Sequence, residues 1–243
     1  MYALGQVSKV LIVWLLILWR EEGKEGESMA RIWTEDNASL EKVNAWLHGI
    51  GFAMSIPAGI VLVRLALHHD PAMVVSCIVY GLSLSAMYLF STLSHAVRAP
   101  EIRHRMRTLD QGFIYTLIAG TVTPFIWGGM QGWAKIAMMT LVWIAAAAGF
   151  YSKVFAKHRV DNMTAVSYII MGWAPAAALF WSTSTICFLV MLLGGLIYTL
   201  GVYFLQNDHR AWYFHPLWHV MVILASASHY LGVVLFAILR LDR

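Results

Sequence analysis

His215 and His219 lie four residues apart, which puts both imidazoles on one face of a helix, one turn from each other. A single helix grips one metal ion with that spacing. Elsewhere His95 closes one apolar run and Asp110 opens the next. Three neutral imidazole nitrogens suit Zn²⁺ with an open fourth position, and three-histidine sites that keep a water there are of the catalytic kind. Two jobs are open to Asp110: fourth ligand, or partner to that water, and the catalytic pattern favours the second. Ser91 lies one turn from His95 on the same face. It either donates a hydrogen bond to a developing oxyanion or supports His95.

For these groups to meet, separate elements must carry them to one place, and composition shows in what solvent. The chain has 243 residues, of which 60% are hydrophobic and 12% charged, and its mean hydropathy is +0.66. A soluble domain of this size needs more charge to cover its surface, so the apolar excess faces lipid. Only helices and closed barrels satisfy the backbone there. The apolar runs are continuous over about 20 residues, not alternating over about ten, which selects helices. They extend from Ala45 to Leu67, Ala72 to Val97, Gln111 to Gly129, Trp133 to Tyr151, Met163 to Trp181, Thr185 to Leu205 and Pro216 to Leu239. The expected protein is all-α and polytopic, with an N-terminal extension over residues 1–39 and a seven-transmembrane helix bundle over 40–243. Short linkers make successive helices antiparallel neighbours.

Basic residues orient the bundle. Arg98, Arg103, Arg105, Arg107, Lys153, Lys157, Arg159 and Arg210 follow the second, fourth and sixth runs, and Lys24, Arg31 and Lys42 precede the first. The other side has Arg64, Lys135, Arg240 and Arg243. The positive-inside rule then predicts a cytoplasmic N-terminus and an outside C-terminus. With alternating helices, His95, Asp110, His215 and His219 all fall at the cytoplasmic end, an agreement that the choice of spans did not require.

Ionisable groups at membrane depth are costly and are functional candidates. His68, His69, His104, His158 and His209 lie in linkers. His48, near the depth of the site, reads as support for a helix end. His229 is roughly 15 Å deeper than His219 at 1.5 Å per residue, too far to share an ion, and reads as a hydrogen-bonded interior histidine. Cys77 and Cys187 read as small buried apolar residues and not as a disulfide framework or thiolate site. A net charge of +4 reads as loop charge beside anionic lipid, with no nucleic-acid patch. Before the bundle, Val10 to Trp19 forms a short apolar run followed by the acidic stretch Glu21 to Glu27. An interfacial helix, a marginal eighth span and an upstream start with Met29 as the natural one are the competing readings; no small-residue cleavage site follows the run.

Several of these stretches together resemble the hemolysin III / progestin and adiponectin receptor family. They are Ser91-x-x-x-His95, Leu109-Asp110, His215-x-x-x-His219, Glu41-x-x-Asn44-x-x-x-His48-Gly49, Ala119 to Phe125, Met171-Gly172-Trp173 and Tyr198-x-x-Gly201. The resemblance covers Leu40 to Leu239, and the short linkers look like the bacterial branch. It implies a seven-helix bundle with the N-terminus inside, and zinc held by residues matching His95, His215 and His219, with Asp110 holding the water and Ser91 nearby. It implies a multi-pass protein of the bacterial inner membrane that hydrolyses an amide or ester bond of a membrane lipid, ceramide-like in the adiponectin receptors. The haemolytic pore activity for which the bacterial branch is named gives the alternative, with zinc structural, although no run carries a polar stripe fit to line a channel. A ligand-sensing receptor is a third reading, for which the sequence shows hardly any external loop. Pro216, directly after His215, departs from the pattern and would fix the helix start at the ligand. The extension before Met29 lies outside it.

Overall fold

The computed structural model describes residues 35–156 and 164–239. The run Val10 to Trp19, Met29, Lys24, Arg31, Lys157, His158, Arg159, Arg240 and Arg243 lie outside the described residues. Seven α-helices occur among those described: α1 (Glu35–Ala66), α2 (Pro71–Ala96), α3 (Pro100–Gly129), α4 (Gly132–Val154), α5 (Thr164–Leu179), α6 (Thr185–Gln206) and α7 (Phe214–Gly232), the last continuing as a π-helical turn, Val233–Ile238. Local chemistry sets several boundaries. The Asp70 carboxylate accepts from the Ala72 and Met73 amides, at 3.0 and 3.1 Å, and Pro71 occupies the first turn of α2. Slight burial works upward on the Asp70 carboxyl, but the bonds from the Met73 amide, the Trp127 indole and the Ala72 amide outweigh it and hold the group below the usual carboxylate range. Ser184 caps α6 through the Cys187 amide. Gly132 takes φ of +60° at the tight α3–α4 turn, a conformation without steric cost only for glycine.

Among the described residues, five helical segments are long and apolar enough to cross a bilayer: Ala38–Ala66, Pro71–Ala96, Gly132–Val154, Thr185–Gln206 and Phe214–Leu235. The other two runs are less apolar or shorter among the described residues, and for α3 the reason is identifiable. Helix α3 packs against α2, α4, α5 and the π-turn, so it needs little lipid-facing surface and buries Gly112, Tyr115, Gly120, Thr121 and Thr123 instead. It also begins at Pro100, so the basic stretch Arg103 to Arg107 is helical and Asp110 lies inside the helix. Among the described residues, α5 contributes a shorter apolar segment, Ala165–Leu179. Helix α7 starts at Phe214, one residue before His215. Exposed tryptophans mark both ends of the bundle, Trp46 and Trp212 at one and Trp133 and Trp181 at the other, as expected where indoles sit at bilayer interfaces.

Consecutive helices are antiparallel neighbours, and α7 packs back on α1. Small residues permit the closest approaches. A Cβ on Gly120 would come within 2.6 Å of the Ser83 hydroxyl, and one on Gly149 would enter the Tyr115 ring. Tyr115 is itself fixed by a 2.6 Å bond to Ser167. Gly149→Ala should therefore force α3 and α4 apart and cost about 1–3 kcal/mol. Thermal unfolding in detergent would read it, and an unchanged midpoint would contradict this packing.

Candidate metal centre

The N-terminal part of α1, the C-terminal turns of α2, the first third of α3 and the start of α7 meet at one end of the bundle. There His95 Nε2 stands 3.1 Å from His219 Nε2 and 3.4 Å from His215 Nε2. One ligand nitrogen from each of the three lies within 4.8 Å of the others. Nitrogens bound tetrahedrally at about 2.0–2.1 Å are about 3.3 Å apart, so these spacings fit a single small ion.

The far side of each ring explains why its Nε2 faces inward. His95 Nδ1 is 2.6 Å from Glu41 Oε2, His215 Nδ1 is 3.2 Å from Asp208 Oδ2, and His219 Nδ1 is 3.0 Å from His48 Nε2. A carboxylate can only accept, so His95 and His215 must donate from Nδ1. That tautomer leaves each Nε2 as a bare lone pair facing the other across 3.4 Å. With both rings neutral, neither can donate to the other, and a shared cation would resolve the clash. Partners on the outer nitrogens are also the usual means by which proteins orient metal-binding histidines.

Glu41 is held in turn. Arg103 pairs with its Oε1 and Arg107 approaches the same oxygen at 3.4 Å, while Arg103 Nε donates to the Ser94 carbonyl at 3.2 Å. The clamp ties α1, α2 and α3 together behind His95. Glu41→Gln should keep the fold yet weaken metal binding by about 10–100-fold, because an amide holds the ring with less charge. Competition with a chelating dye would measure this, and affinity within twofold of wild type would sink it.

Asp110 is not one of the converging ligands. Its Oδ2 accepts from Ser94 Oγ at 3.1 Å, and Ser91 also hydrogen-bonds its carboxylate. Ser91 is buried and thus touches Asp110, while Ser94 bonds the Ser91 carbonyl at 2.8 Å. His48, completely buried, sits between His219 and the edge of the Tyr88 ring. His229 bonds the Met191 carbonyl at 3.1 Å deep in the α6–α7 contact. Sequence reading did not assign Glu41, Arg103, Arg107 or Asp208 to the site. Only the seven-residue step from Glu41 to His48, two turns on one helical face, offered a local signal.

The profile of a family described as haemolysin-III related matches residues 37–230. Hemolysin-3 of Bacillus cereus is 35% identical over 202 residues, covering 82% of this chain and 92% of that protein. The hemolysin-3 homolog of Bacillus subtilis strain 168 is 33% identical over 202 residues, covering 82% and 94%. The human monocyte to macrophage differentiation factor is 27% identical over 197 residues, covering 78% and 81%.

Proposed function

The chain belongs to the haemolysin-III-related family of multi-pass integral membrane proteins, and from that premise we propose that it is a zinc-dependent hydrolase of membrane lipids. Its functional unit is residues 40–243, folded as seven spans in a bacterial inner membrane with the N-terminus cytoplasmic and the C-terminus outside. The bond cleaved is an amide or ester, and a ceramide-like lipid is the first substrate to test. The observation that carries the reading is the set of three Nε2 atoms facing one another, each ring held from behind by Glu41, Asp208 or His48.

His95, His215 and His219 would hold the ion. Bound there, zinc supplies Lewis acidity towards a scissile carbonyl and water that ionises near neutral pH. Asp110 accepts the proton of the attacking water and passes it to the leaving group. Ser91 and Ser94 fix the Asp110 carboxylate from two sides, and that placement supports Ser91 as a positioning residue for the base. An acyl substrate reaches a site at this depth from the bilayer without crossing water. The test is zinc content per chain of protein purified in detergent, with release of fatty acid from ceramide-like lipids. Near-zero zinc in protein never exposed to chelator would remove the metal reading. Erythrocyte lysis retained in Asp110→Asn and His219→Ala, with no hydrolysis by the wild type, would place the protein among pore-formers instead.

A further inference from the structure

On the outer face of the bundle, a groove of about 530 Å³ runs between α1 and α2. Its floor exists because Ala45, Gly49 and Ala53 recur every fourth residue on α1 and carry almost no side chain towards α2. A Cβ on Gly49 would only just reach Thr92, at 3.6 Å. Trp46, exposed, forms one wall. It belongs to the tryptophan ring at the histidine end of the bundle, so the mouth of the groove is at headgroup depth and its floor faces acyl chains.

Charge decides what fits. Lys42 and Arg98 stand at the mouth, both exposed, and among the described residues neither has an ion-pair partner. Glu41 also lines the groove, but its carboxylate is committed to His95, Arg103 and Arg107. Among the described residues that line it, the mouth thus presents two cations and no free anion above an apolar trough. We propose that this groove binds one anionic glycerophospholipid of the bilayer, its phosphate between Lys42 and Arg98 and one acyl chain along Ala45, Gly49 and Ala53. A zwitterionic lipid brings no net charge to the cations, and a free phosphate leaves the trough uncovered. The proposal is independent of zinc and of hydrolysis. It does have a neighbour in the site, because the bound lipid would brace α1 against α2 directly outside the Glu41–His95 contact.

Native mass spectrometry and thermal unfolding of the full chain in dodecyl maltoside test it, with dioleoyl phosphatidylglycerol, dioleoyl phosphatidylcholine and inorganic phosphate as separate probes. The expected result is one retained phosphatidylglycerol per chain and a raised unfolding midpoint with that lipid alone. Each cation beside an anionic lipid contributes about fivefold, so Lys42→Gln with Arg98→Gln should cut the preference for phosphatidylglycerol by about 25-fold. Arg105→Gln, an exposed cation at the same end but outside the groove, should leave it unchanged. Equal retention of both lipids, equal loss in the Arg105 variant, or stabilisation by phosphate alone would each overturn the proposal.

Discussion

Asp110→Asn is expected to keep the wild-type zinc content while slowing lipid hydrolysis by about 10²–10⁴-fold, the range of a lost general base. The substitution is nearly isosteric, and the amide oxygen still accepts from Ser94, which bonds the carboxylate at 3.1 Å. The three converging nitrogens belong to other residues, so the ligand set is untouched. What disappears is the ability to take a proton. The loss should fall on kcat with KM nearly unchanged, as for an interaction made mainly in the transition state. An asparagine variant active within tenfold of wild type would remove Asp110 from the chemistry, and one without zinc would make it a ligand.

His219→Ala should have the larger structural effect. This ring is buried between His95 and His48, with a nitrogen 3.1 Å from one and 3.0 Å from the other. Without it two histidines face the ion, and zinc should fall below about a tenth of an equivalent per chain after dialysis, since three protein ligands are the usual minimum at such sites. An ion held at a free concentration 1,000 times its dissociation constant stabilises by about 4 kcal/mol. The variant should forfeit that, together with about 2–5 kcal/mol for the emptied volume. Chelator should lower the unfolding midpoint of the wild type and leave that of the variant unmoved. A variant that retains a full equivalent of zinc would refute the ligand assignment.

His95, His215 and His219 were legible as metal candidates because hydropathy and helical period are local properties, and the structure brings them together. Their supports were not legible. Glu41 reaches His95 from another helix, Asp208 reaches His215 from the turn after α6, and Arg103 and Arg107 looked like linker charges until α3 proved to begin at Pro100. Such pairings depend on which helices become neighbours, and spacing along one helix does not encode that. The third run is less apolar than its neighbours because of its place in the bundle. A helix enclosed by α2, α4 and α5 can carry threonine, tyrosine and glycine where a lipid-facing helix needs leucine.

The 3.0 Å contact between His48 and His219 joins residues 171 positions apart. During synthesis the ribosome has already delivered α1, α2 and α3 to the bilayer before His215 or His219 leaves the exit tunnel. A nascent chain stopped short of α7 therefore owns one of the three converging imidazoles and can hold an ion only feebly. On the proposed reading, firm capture of metal has to wait for α7, because two of the three converging nitrogens are carried there.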